Sequence, residues 1–203
     1  MPAFPQRFLL TALISATLVL VAACRHNDPA EAAKEIALGD KTVADSAKIK
    51  TLTYVEQEQM TDNLAFHYKA AIAHDGGNLD AYKKLAQVYY GRGRTLSCFT
   101  VLNKAKTLTS DDAEINAGIA NFTAKSEAQI KENGSRDLGT VDGMFLAKLA
   151  RCYFVTANQA KCRELKSQAV DRAKDDPYVL TTNAELHAID TGSVLVNSKA
   201  DGR

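Results

Sequence analysis

The chain has 203 residues, 46% of them hydrophobic and 24% charged, which fits one globular domain with short terminal extensions and excludes a wholly disordered, collagenous or multi-span membrane chain. Lys and Arg number 25 against 24 Asp and Glu, a formal charge of +1, so no basic footprint points to nucleic acid as a partner. No phosphate loop, Rossmann glycine pattern or Gly-x-Ser-x-Gly elbow occurs, and the four histidines are scattered; neither a cofactor nor a catalytic apparatus is expected, and the chain reads as a non-enzyme.

At the N-terminus, Arg7 is followed by an uncharged apolar run from Phe8 to Leu20 and then by Val21-Ala22-Ala23-Cys24. A basic start, a short apolar stretch and small residues before a cut describe an export signal over residues 1–23. The run is too short to span a bilayer, and Arg25 to Asp28 follow at once. Val21-Ala22-Ala23-Cys24 resembles the bacterial lipobox. That resemblance implies that the Cys24 sulfur receives a diacylglyceryl group, that cleavage leaves Cys24 first, and that this covalent lipid is the one group added to the chain. Arg25, where an Asp resembles an inner-membrane retention signal, implies the outer membrane, with the domain lipid-anchored and facing the periplasm. Loss of residues 1–23 leaves 24 basic against 24 acidic residues, so the acyl chains, at ~0.8 kcal/mol per buried CH₂, and not surface charge, hold the bilayer.

Residues 24–43 are expected to form the lipidated N-terminus and a tether. Asp28-Pro29-Ala30-Glu31 opens an Ala-rich helical turn that Gly39 should stop. Beyond it a period emerges. Tyr82, Leu85, Ala86 and Tyr89, then Cys98, Leu102, Ala105 and Ser110, follow the W-x₂-L-G-x₂-Y…A-x₃-F…P spacing of the tetratricopeptide repeat (TPR) across residues 79–112. Leu85 and Tyr89 share a helix face, and Ala86 and Cys98 are the small pair that lets two helices approach. One period earlier, 45–78 repeats the pattern more weakly, with Leu52 and Val55 on its first helix and Leu64, Tyr68, Ala71 and Ile72 on its second. Leu146, Leu149, Ala150 and Tyr153 with Cys162, Ala169 and Val170 mark a further unit at 143–176, in which Lys166 replaces an aromatic. Between them, Asp111-Asp112-Ala113-Glu114 opens a long helix through Ile115, Ile119, Phe122 and Ile130. Residues 113–142 are thus one helix with an irregular segment, or a disordered insertion about residues 131–142. Asp176-Pro177 starts a capping helix over 177–190, and residues 191–203 read as a flexible tail.

The chain therefore resembles the TPR family over about half its length, and the fold expected is all-α, a short helical-hairpin solenoid filling residues 44–190. A family groove transferred onto this sequence falls on Lys83, Gln87, Tyr90, Asn121, Lys125, Arg151 and Phe154, a mixture of donors and rings suited to an extended partner segment; Tyr90 and Phe154 serve equally well as packing between repeats. A short lipobox protein with few such repeats resembles the tight-adherence (Flp) pilus assembly lipoproteins and, secondly, the pilotins that help secretins assemble. The resemblance implies a binding scaffold whose partners are other envelope proteins and, through its acyl anchor, the lipid bilayer. The competing readings are an envelope enzyme using scattered groups such as His67 and Asp75, and a structural lipoprotein contacting peptidoglycan.

Three cysteines remain after Cys24. Cys152 and Cys162 flank the Thr156-Ala157-Asn158 turn symmetrically, which suits either a disulfide across the hairpin or two small core residues, while Cys98 takes a packing position. No Cys-x₂-Cys or adjacent His pair suggests a metal. His67 and His74, two helical turns apart, are about 10 Å from each other and too distant to share one. Gly91-Arg92-Gly93-Arg94 offers cations to an anion, and a turn between helices accounts for it as well.

Overall fold

A computed structural model describes residues 27–48 and 51–196; residues 1–23, expected to be an export signal, Cys24 and residues 197–203 lie outside them. The described residues form eight helices and no strand: α1 (Pro29–Ser46), α2 (Tyr54–His74), α3 (Leu79–Gly91), α4 (Thr95–Lys106), α5 (Ala113–Asn133), α6 (Gly143–Val155), α7 (Gln159–Ala173) and α8 (Pro177–Asp190). The protein is all-α. Local chemistry sets most of the starts. Asp28, Asn78, Asp112, Asp142, Asn158 and Asp176 each accept backbone N–H groups of the first turn, and Thr53 forms a reciprocal capping box with Glu56. α4 is the exception: its N-cap is Arg94, whose side chain caps nothing.

Each helix from α1 to α7 packs on the next, and α8 folds over α4, α6 and α7. Two apolar cores result. The first joins Ala32, Leu64, Tyr68, Leu85, Tyr89, Val101 and Ile115 from α1 to α5; the second joins Leu96, Leu146, Leu149, Leu165, Val179 and Leu186 from α4 and α6 to α8. Each fully buried Leu or Ile contributes roughly 1.5–3 kcal/mol. Ile189 of α8 packs against both cores.

Three expectations are corrected. First, the part of the expected tether (24–43) that the structure describes, residues 27–43, is not a tether with one helical turn: α1 runs through Gly39 to Ser46 and lies antiparallel on α2, with the Asp28 N–H donating to the His74 carbonyl at 2.8 Å and Glu35 Oε2 2.7 Å from His67 Nδ1. Gly39 is buried because α1 crosses the Tyr68 ring there; a Cβ would lie 2.6 Å from Tyr68 Cε1. Second, the first hairpin is consequently α1–α2, not 45–78: α2 is one continuous helix, and Val55, expected to pack, is 62% exposed. Third, residues 191–196 are not loose. Val194 is 3% exposed within the first core, the Val194 carbonyl accepts from Tyr89 Oη at 3.1 Å, and the Ser193 carbonyl accepts from Lys69 Nζ at 2.6 Å.

The remaining elements follow the expected spans. α3 and α4 occupy 79–112, joined through Gly93, whose φ of +69° suits a residue without a Cβ. α6 and α7 occupy 143–176, and α8 occupies 177–190. α5 is the long helix, and the irregular segment after it is held by Arg172 Nη1, which donates to the carbonyls of Leu138 and Val141 at 2.6 and 2.7 Å. Among the described residues no helix is long and apolar enough to cross a membrane.

Candidate protein-docking cleft

α3, α4 and α5 enclose an open cleft of about 310 Å³. Its floor is apolar, made by Ala86, Cys98, Leu102 and Ile115, all buried. Its rim carries Lys83, Gln87 and Tyr90 from α3 and Asn121 and Phe122 from α5. The two exposed amides, Gln87 and Asn121, come from different helices, and each offers both a donor and an acceptor. Lys83 is committed: its Nζ lies 2.7 Å from Asp112 Oδ2 and 3.1 Å from Glu114 Oε2, and the hydrogen bonds to those carboxylates raise its pKa. Hence one end of the rim is neutralised.

The rings form a ladder across four helices. Tyr90 of α3, 58% exposed, meets Phe122 of α5 edge to face at 6.2 Å; Phe122 meets Phe99 of α4 at 6.0 Å; Phe99 meets Phe154 of α6 at 6.5 Å. Such contacts add about 0.5–1.5 kcal/mol each beyond their burial, so the exposed Tyr90 ring is braced from behind.

Of the groove residues expected from sequence, Lys83, Gln87, Tyr90 and Asn121 line this cleft together. Lys125 is exposed on α5 but does not line it, and Phe154 is half-buried under the ladder, packed against the second core. Arg151 does not face a groove at all. It is 8% exposed, with Nη1 2.8 Å from Glu185 Oε2 and 3.2 Å from Thr182 Oγ1, Nη2 donating to Thr95 Oγ1, and its guanidinium 5.4 Å over the Tyr178 ring. The cause is α8, which lies over this face of α6; a register transferred from a regular repeat takes no account of it. Glu185, which sequence reasoning missed, caps α4 from a distance: its Oε1 accepts from Ser97 N at 3.3 Å and Ser97 Oγ at 3.1 Å. An acid set among Val179, Thr182 and Leu186 on the buried stripe of an amphipathic helix was the available signal.

The cysteines are separate. Cys162 lies in the second core and lines a depression with Leu186, whereas Cys152, half-buried, sits beside Gln129 and Asn133 of α5. Of the two readings of Cys152 and Cys162, a disulfide or two small packing residues, the disulfide is not formed in this structure: the two thiols face α5 and α8 respectively. Burial pushes the Cys98 thiol up to about 12 and Cys162 up to about 11. His67 is engaged with Glu35 and Asp75 closes the turn after α2 by accepting from Gly77 N, so the two do not converge. Among the described residues no three His, Cys, Asp or Glu side chains cluster as a metal site.

A second, larger concavity of about 640 Å³ lies between α2, the α3–α4 turn, α8 and the folded-back tail. Here the Gly91-Arg92-Gly93-Arg94 segment does more than turn. Arg92 Nη2 bonds Glu58 Oε1, and Arg94 Nη2 bonds Glu58 Oε2 at 2.8 Å, so one carboxylate on α2 takes both guanidinium groups. Burial works to raise the Glu58 carboxyl, and the two arginines overcome it, leaving its pKa below the usual value.

Comparison of the chain with protein-family models, curated proteins and solved structures yields no match.

Proposed function

We propose that the protein is an outer-membrane lipoprotein, moored through acyl chains on Cys24, whose helices form a TPR-like stack on the periplasmic side and dock a partner during assembly of a pilus or secretion machine of the tight-adherence kind. The reading is of binding and not of catalysis. One observation carries it: an apolar floor between α3 and α5, bracketed by the amides of Gln87 and Asn121 and by the braced Tyr90 ring. An extended segment laid there would bury an apolar side chain on the floor while its backbone N–H and C=O groups meet the rim amides. The succession of helices, each packed on the next, supports the stacked-hairpin description.

The test is a photoreactive phenylalanine analogue at Tyr90 in the full chain, expressed in its own cell envelope, with the same analogue at Leu180, exposed on α8, as the comparison. The expected result is a discrete adduct at Tyr90 alone, identified by mass spectrometry as a pilus or secretion component, with Cys24→Ala releasing the chain from the outer-membrane fraction. Equal labelling from Leu180, or a Tyr90 adduct belonging to no such machine, refutes the assignment.

A further inference from the structure

The larger concavity has an unbalanced charge. Lys69, Arg92 and Arg94 line it against Glu58 and Glu185. Glu185 is already matched by Arg151, and Glu58 is shared by both arginines. Asp62 lies 3.5 Å from Arg94 but is 68% exposed, turned largely to solvent. That leaves Lys69. Its Nζ donates to the Ser193 carbonyl, and among the described residues no carboxylate comes within ion-pair distance of it. A partly buried ammonium held by a single carbonyl dipole is under-compensated, because charge-assisted bonds to an anion are roughly twice as strong as neutral ones.

The Arg92 guanidinium is engaged on α2, with Nη1 donating to Gln57 Oε1 and Nη2 to Glu58 Oε1, so among the described residues Lys69 is the cation of this lining whose charge no carboxylate meets. The volume falls within the range of small-molecule sites.

We propose that this cavity binds a small ligand through a carboxylate or phosphate group, with Lys69 as the donor and residues 193–194 of the tail as one wall. The oxyanion takes the surplus donor capacity of Lys69, while the carboxylate of Glu58 keeps the arginines oriented. The two concavities share only Gly91 among their lining residues, so this inference stands or falls separately from protein docking at the α3–α5 cleft.

The experiment is isothermal titration of the full chain, purified in a non-ionic detergent, with inorganic phosphate in one arm and succinate in the other, at constant ionic strength set with chloride. Saturable one-site binding in either arm is expected, the responding arm naming the ligand class, and Lys69→Met should weaken it by roughly tenfold or more. Lys84→Met, which removes a cation paired with Asp40 outside the cavity, should leave it unchanged. Amide chemical shifts of the unmutated chain supply a readout that needs no variant: the perturbation should centre on Lys69, Ser97 and Ser193. No saturation by either anion up to about 50 mM, equal binding by Lys69→Met, or shifts centred elsewhere overturns the proposal.

Discussion

A carboxylate only 4% exposed must have its charge matched locally, and Glu185 has it matched from two helices. Oε1 takes the N–H and hydroxyl of Ser97 at the start of α4, and Oε2 faces the Arg151 guanidinium of α6 as an ion pair at 2.8 Å. This arrangement accounts for the missing local cap on α4, since the cap comes from α8. Removing one partner of a buried pair costs more than the pair contributes, because the other charge stays behind without water. Glu185→Ala should therefore lower the unfolding free energy by roughly 3–5 kcal/mol, measured by urea denaturation, and Glu185→Gln, which retains an acceptor for Ser97, by less. A Glu185→Ala variant within experimental error of the parent would show that the ion pair is dispensable. The cysteines provide a second check at this scale. With Cys98 and Cys162 buried and their thiols raised to about 12 and about 11, the reactive thiolate is scarce at both near neutral pH. A maleimide at pH 8 should modify the half-buried Cys152 first and reach Cys98 and Cys162 only on unfolding. Detection of one thiol instead of three in denaturant would mean that Cys152 and Cys162 are joined after all.

Among the elements, α1 is where sequence and structure part most. Gly39 in an Ala-rich segment reads locally as a helix stop, because glycine is costly within a helix and common just beyond one. Its role here is spatial, making room for the Tyr68 ring, and no local pattern around residue 39 encodes a ring that arrives from α2. The same local reading places the first repeat at 45–78, since Leu52 and Val55 satisfy the spacing while the true partner of α2 reads locally as a tether. By contrast α3 and α5 to α8 were legible, because Asp or Asn caps and apolar stripes coincide there, and α4, which lacks such a cap, was legible from its apolar stripe and the turn glycine at 93. Four of the seven groove residues were legible for the same reason, being fixed by the register of α3 and α5. Arg151 was not, because its surroundings come from α8. The Gly39 argument has a definite consequence. Gly→Ala in a helix interior ordinarily stabilises by about 1 kcal/mol. At Gly39 the new methyl would press on a Tyr68 ring that is 2% exposed and held by its hydroxyl's bond to Asp40. Overpacking of that kind costs roughly 1–3 kcal/mol, so Gly39→Ala should lower the melting temperature and Gly39→Val should lower it further. A rise in both would mean that α1 does not approach α2 this closely.

Across the whole molecule, a stack in which each helix touches the next has no built-in return path from end to end, and its stability is close to a sum of neighbour terms. α8 and the folded-back tail supply that path. Lys69 bonds a residue 124 positions away and Tyr89 one 105 positions away, while Val194 completes the first core from the far end of the chain. Loop-closure entropy grows only logarithmically with such separations, so distance along the chain does not forbid the contact. Val194-Leu195 in an otherwise polar stretch reads as a loose end because its partners, Lys69 and Tyr89, lie in remote helices. Val194→Asp sets a charge into that apolar slot and should expel the tail, lowering stability by about 1–3 kcal/mol, the scale of one buried aliphatic side chain. Deleting residues 193–203 should cost the same amount and no more, since both changes release one segment. Amide exchange locates the effect: protection should fall in α2 and α3 near Lys69 and Tyr89, whereas α6 and α7, packed in the second core, should hold theirs. Equal loss of protection across α6 and α7 would show that the two cores open as a single unit and that the tail does not act selectively on the first.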